Sequence, residues 1–275
     1  MQHSLSDTAV GTRSDFSVCL ASAADRPIEE SLAMLRRIGA DRFGLLASTM
    51  SRQGWARSVD AVRACGLSAD FIAGGVNAMA DDDAGWSTNI AHLQRSVDAA
   101  AEIGAGTVCF TSGGSGFLSW EDAASAVVER FAPLVEHARR SGVALAVENT
   151  MSIRSGISFV HSVSDAAELA GLLGVGLCVD LYSAFQERGL MRTLADNLDA
   201  ICLVQIGDHR VQATSVPNRW VPGDGQLPLE RLVREVREIG YTGVVDLELL
   251  GPAIDAEGDE SALARGLQWM RTFVP

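Results

Sequence analysis

A chain of 275 residues, 47% apolar and 21% charged, has the composition of a globular protein that buries a sizeable core. Its net charge of −13 speaks against a nucleic-acid backbone as partner, while leaving room for a small neutral molecule or for an anion neutralised by a metal. No apolar run approaches membrane-spanning length, and the five cysteines follow neither a zinc-module nor a disulfide spacing, so a reducing cytoplasm is the expected setting.

Residues 1–15 are polar and read as a frayed tail ahead of one domain over 16–275. From Phe16 the chain alternates short apolar runs with amphipathic segments, eight times. Phe16 to Ala21 leads to a helix from about Pro27 to Ile38, closed by Gly39. Arg42 to Ala47 leads to a helix from Trp55 to Cys65, stopped by Gly66. Leu67 to Ala73 is followed by a loop, Gly74 to Gly85, and a helix from Thr88 to Ile103. Thr107 to Thr111 gives way to Ser112-Gly113-Gly114-Ser115-Gly116, and a helix from Trp120 to Ser141 that bends or restarts near Pro133.

The fifth run, Val143 to Glu148, precedes a loop to Ser162 and a helix from Ser164 to Leu173 with a partial Ser-x-x-Ala cap. The sixth ends at Asp180, with a helix reaching Asn197. The seventh ends at Gln205, before a long loop from Ile206 to Leu227 and a helix from Pro228 to Ile239. The eighth ends at Glu248, and a final helix covers Glu260 to Thr272. Eight strand-then-helix units with buried-type strands predict a single-domain α/β fold, the (β/α)8 TIM barrel; a doubly wound open sheet is the alternative, without a G-x-G-x-x-G or Walker pattern to support it.

Four of the runs end in an oxygen-bearing side chain: Glu148, Asp180, Gln205 and Glu248. A charge at the tip of a buried strand is costly unless paired, and strand C-termini are where such barrels bind ligands. Three carboxylates and an amide oxygen form a hard donor set suited to Mn, Mg or Co, so one shared divalent ion is expected, Mn2+ first. The competing reading is that each acid caps a neighbouring loop or helix.

Together with Val147-Glu148-Asn149-Thr150, Val179-Asp180 and Val204-Gln205-Ile206-Gly207-Asp208, the stretch Asn218-Arg219-Trp220-Val221-Pro222-Gly223-Asp224-Gly225 resembles the xylose isomerase-like TIM-barrel superfamily. That group of sugar phosphate isomerases/epimerases includes ketose 3-epimerases, inosose dehydratase and 3-dehydroshikimate dehydratase. The resemblance implies that Glu148, Asp180, Gln205 and Glu248 ligate the metal, that Glu148 and Glu248 also act as acid and base, and that Arg219 holds substrate oxygens. It also implies a homo-oligomer. Gln205 stands where the epimerases have His, and Ser183 where many members have another His; the Gln resembles the dehydroshikimate dehydratase branch. Endonuclease IV, with its extra histidines, does not fit.

The expected reaction is proton abstraction next to a carbonyl, through an enediolate, on a sugar-like or polyol hydroxy-ketone. The outcome is isomerisation or epimerisation. The alternative is a dehydratase or β-eliminating lyase acting on a cyclic keto-polyol or 3-keto-glycoside, and a third reading is a non-catalytic binding barrel. His209, Arg154 and His161 are candidate substrate contacts; Asp208 is either another or a group that orients a ligand. His92 and His137 read as structural. The Gly-rich Ser112 to Gly116 loop is a phosphate cradle or a tight turn. Trp55, Met79, Trp86, Phe117, Tyr182, Phe185 and Trp220 fall near the expected loop face and suggest a substrate with apolar surface.

Overall fold

The structure is a computed structural model that describes residues 15–274 except 78, 212, 214 and 215, and leaves the side chains of 75–77 undescribed. The frayed tail expected over residues 1–15 lies, but for residue 15, outside the described residues. Eight strands, β1 (Phe16–Cys19), β2 (Arg42–Leu46), β3 (Ser68–Asn77), β4 (Thr107–Thr111), β5 (Ala144–Glu148), β6 (Gly176–Asp180), β7 (Ile201–Ile206) and β8 (Val245–Leu247), pair in chain order, and β8 closes on β1. Every pairing is parallel. A buried parallel strand needs apolar side chains on both faces, and the near-continuous runs of the sequence meet that need.

The helices α1 (Ile28–Ile38), α2 (Ala47–Gln53), α3 (Trp55–Cys65), α4 (Asp83–Ile103), α5 (Trp120–Ser141), α6 (Val163–Leu173), α7 (Leu181–Ala184), α8 (Leu190–Asp196), α9 (Leu229–Glu238), α10 (Pro252–Glu257) and α11 (Asp259–Phe273) accompany the strands. Several boundaries differ from the sequence reading, each for a local reason. The α4 helix starts five residues early because Asp82 caps it, accepting from the Gly85 amide at 2.8 Å. That start buries Trp86 against Phe131, ring centroids 6.3 Å apart. The α5 helix runs unbroken through Pro133, anchored by buried Phe131 and Leu134 on either side. The α6 cap is complete: Ser162 and Asp165 form a reciprocal capping box, and the helix starts at Val163, one residue before the expected Ser164. The single helix expected after β6 is two, separated before Gly189, whose left-handed φ of 77° opens α8.

Inside the barrel, Cys19, Phe71, Cys109, Ala146, Cys178 and Leu203 form a small apolar core distinct from the larger one between strands and helices. Gly44 faces the Phe71 ring so closely that any Cβ there would overlap it. Above this plug the inward-facing residues turn polar. Registers Asp180↔Gln205, Gln205↔Asp246 and Ser17↔Asp246 make these four residues of β6, β7, β8 and β1 neighbours in turn. Side chains alternate along a strand, so Glu248, two residues past Asp246, returns to the inner face one step nearer the mouth.

Candidate active site

The barrel mouth is organised by Arg219. This residue lies on the loop between β7 and α9 and is 3% exposed. Its Nη1 donates to Asp180 Oδ1 and its Nη2 to Asp180 Oδ2, both at 2.9 Å, a two-pronged pairing of fixed geometry. Nη2 also lies 2.9 Å from Glu248 Oε2. That approach is ionic but off the line of an N–H bond, and the Glu248 oxygen, buried, has no hydrogen bond. The guanidinium stacks 4.4 Å from the Tyr182 ring. Asp180 is further fixed by the Tyr182 amide at 3.1 Å and the Ser183 hydroxyl at 2.6 Å. Asn149 pins the tips of β5 and β6 together, donating to the Asp180 carbonyl at 3.1 Å and accepting from its amide at 2.9 Å.

Glu148 completes the cluster. Burial, and then the charges of Glu248 and Asp180, push its carboxyl up to about 8; Arg219 and Arg154 pull the other way. Burial raises Glu248 as well, against Arg219. The group is therefore short of positive charge. Gln205, 2% exposed, donates through its amide to Asp246 Oδ2 at 3.3 Å and accepts at Oε1 from the Cys178 thiol at 3.2 Å.

Three carboxylates, one of them with an orphaned buried oxygen, and an amide oxygen suit a hard divalent cation. As placed, the Arg219 guanidinium occupies the position between Asp180 and Glu248. Among the described residues no three His, Cys, Asp or Glu side chains close on one point as metal ligands would. The donor chemistry fits a metal, and Arg219 would compete with it for the same oxygens.

The other candidates that the sequence offers separate. Asp208, 1% exposed, accepts from the amides of His209, Gly223, Gly225 and Leu227 at 2.8 to 3.0 Å. It is a strut of the β7–α9 loop, with both oxygens bonded to backbone amides. His209 packs against Tyr182 and Phe185, centroids 5.4 and 6.2 Å away, its pKa lowered by burial and partly restored by Asp208. Its Nδ1 is buried without a partner. A lone pair is cheaper to leave unpaired there than an N–H, so the neutral ring carries its proton on Nε2. His161 precedes the α6 cap, with a buried, unpartnered Nδ1. Arg154 ends a short 3-10 turn after β5, close enough to act on Glu148, Tyr182 and Glu248.

Two aromatic residues assigned to the mouth are elsewhere: Trp55 packs on His92 at 5.6 Å, and Trp86 is inside the helix layer. Phe117 is fully exposed on the β4–α5 loop, as is most of Ile153 on the β5–α6 loop. In the Gly-rich loop, Ser112 bonds to Ser158 and the Phe159 amide, and the Gly113 amide donates to the Ile157 carbonyl. A cavity of about 520 Å³ beside it is lined by Met79, Ala80, Asp81, Gly114 and Ser155, among others. Its only charged lining residue is an acid, which does not favour the phosphate cradle.

Residues 32–273 match the model of the xylose isomerase-like TIM barrel. The chain belongs to that family. Among solved structures, protein SMc04130 from Sinorhizobium meliloti 1021 is similar at 24% identity and a TM-score of 0.86, over 95% of this chain and 99% of that one. The 3-keto-D-glucoside 4-epimerase YcjR from E. coli is similar at 20% identity and 0.77, over 94% and 99%. The IolI protein with a bound zinc atom is similar at 17% and 0.81, over 95% and 98%. At these identities the likeness is one of fold. No curated protein matches the chain in sequence.

In this xylose isomerase-like barrel the sequence reading missed the parts played by Asp246, Asn149 and Tyr182. Asp246 carried a signal: it sits two residues before Glu248, hence on the same face of β8. Asn149 stood only inside a motif and Tyr182 only among the aromatics of the loop face, because their contacts depend on a neighbouring strand tip and on a loop residue 37 positions away.

Proposed function

We propose that this protein is a divalent-metal-dependent enzyme that enolises a small polyhydroxy ketone, with isomerisation or epimerisation as the outcome. The observation that carries this reading is the gathering of Glu148, Asp180 and Glu248 around one guanidinium at the barrel mouth, with more negative charge than Arg219 balances. Similarity of fold to a keto-glucoside epimerase and to a zinc-bound barrel supports it. Glu148, Asp180, Gln205 and Glu248 would hold the ion, Mn2+ first. When bound, it would draw electron density from a carbonyl and stabilise the enediolate.

Glu148 and Glu248 face the substrate position as acid and base. Arg219 is held rigid by Asp180 and Tyr182, so it offers preorganised positive charge to an oxyanion. Arg154, whose side chain makes no hydrogen bond or ion pair among the described residues, would hold a substrate oxygen from the loop side. The chain contains no lysine, all 22 of its basic residues being arginine, so enolisation through a lysine imine is closed to it.

The test is solvent-deuterium exchange into a panel of keto-sugars and keto-cyclitols, with Mn2+ added. Glu248→Gln should slow exchange about 10²- to 10⁴-fold, the usual worth of a general acid or base. A wild-type protein that exchanges nothing but still binds a ligand would instead be a binding barrel.

A second reading rests on Gln205 and His209. With an amide in place of imidazole at the strand-seven tip, His209 Nε2–H is the nearby neutral donor able to protonate a leaving oxygen. β-Elimination would then follow the same first step, and a conjugated enone absorbing in the ultraviolet would identify it.

A further inference from the structure

One step below Glu248 on β8, Asp246 and Ser17 form a polar pair that enolisation does not use, in contact with Gln205. Asp246 is fully buried in the middle of β8. Its Oδ1 accepts from the Ser17 hydroxyl on β1 at 2.5 Å, and its Oδ2 from the Gln205 amide nitrogen on β7 at 3.3 Å. Ser17, Asp246 and Gln205 are register neighbours, so the contact is built into the strand pairing rather than into a mobile loop. Around them the barrel interior is Cys19, Phe71, Cys109, Ala146, Cys178 and Leu203. A carboxylate among such residues is costly, and an apolar side chain would fill the same space without that cost.

Its placement has a consequence for Gln205. The two ends of a carboxamide are nearly equal in shape, and only the surroundings decide which atom points where. Asp246, with both oxygens accepting, takes the NH2 end. The Oε1 atom is thereby left as an acceptor, and its hydrogen bond among the described residues comes from the Cys178 thiol, a weak donor that a cation would displace.

We propose that Asp246, steadied by Ser17, is a positioning residue that orients the Gln205 carboxamide so that its oxygen is the atom available to a divalent cation. The proposal rests on the metal reading above. It is specific to a glutamine at this strand tip, because an amide, unlike a carboxylate, has a wrong way round.

Titration of the purified, metal-free protein with MnCl2, followed by calorimetry, tests it together with thermal melting of each variant. Asp246→Leu removes the acceptor and should weaken Mn2+ binding about 10- to 100-fold, the range typical of groups that orient a metal ligand. Asp246→Asn, which keeps an oxygen for the Gln205 NH2, should lose less. A folded Asp246→Leu variant that binds Mn2+ as the wild type does would overturn the proposal, as would Asn proving as damaging as Leu. If the Leu variant does not fold, Ser17→Ala carries the test, with several-fold weaker binding expected and unchanged binding overturning it. A wild type that binds no Mn2+ overturns the metal reading itself, which is a different result from a wild type and variant that bind alike.

Discussion

Asp180 and Glu148 stand a strand apart and have opposite surroundings. Asp180 has both oxygens bonded, to Arg219, Ser183 and the Tyr182 amide. Glu148 has no such partners and feels two like charges, so it holds a proton that the unfolded chain would have released. Asp246 is raised too, to about 7, by burial against the opposing bonds from Ser17 and Gln205, and above that value both its oxygens are free to accept. Both folded values lie above the ordinary 4.5 and 3.8, so the folded state binds more protons between them. The contribution is complete below the lower values and is lost as pH rises through about 7 and 8. The metal-free protein should therefore melt at lower temperature at pH 8.5 than at pH 5.5, and Glu148→Gln should flatten that slope. A melting series across that range checks it; an unchanged slope in the variant would show that Glu148 is ionised throughout.

The loop from β7 to α9 carries Arg219, and its shape depends on Asp208. Four backbone amides converge on that one carboxylate, and Gly225 approaches it so closely that a Cβ would collide. The Asp208 and Trp220 backbones also bond reciprocally at 2.9 Å, which sets the entry of the loop against its middle. Asp208→Ala leaves buried donors unpaired, at a cost of about 1–3 kcal/mol for the first and more if the loop cannot rearrange. It should lower the melting temperature by several degrees, and it should also weaken substrate binding because Arg219 is no longer aimed. Titration with a keto-sugar that the wild type binds separates the two effects. On the β5–α6 loop, Ser162→Ala removes one half of the α6 capping box and should cost about 1 kcal/mol, read as a small fall in melting temperature.

At the scale of the molecule, eight strand tips and their loops bring residues from opposite ends of the chain to one mouth, and the proposed cation would tie several strands together there. A ligand at about 100 times its Kd stabilises the folded state by roughly 2.7 kcal/mol, so saturating Mn2+ should raise the melting temperature by several degrees and a chelator should return it. The barrel itself was legible from the chain, since a parallel strand buried on both faces must be a short, continuous apolar run, and eight such runs alternate with amphipathic segments. The tip residues Glu148, Asp180, Gln205 and Glu248 were legible for the same reason: a polar residue ending such a run stands out locally. What needed the tertiary structure was everything set by distance across the barrel. That Arg219 stands between Asp180 and Glu248, that Asp208 spends its charge on a loop, and that Asp246 meets Ser17 across 229 positions depend on closure of β8 on β1 and on the path of one long loop. Local periodicity reports which face a side chain takes; only the closed barrel decides which charge it meets there.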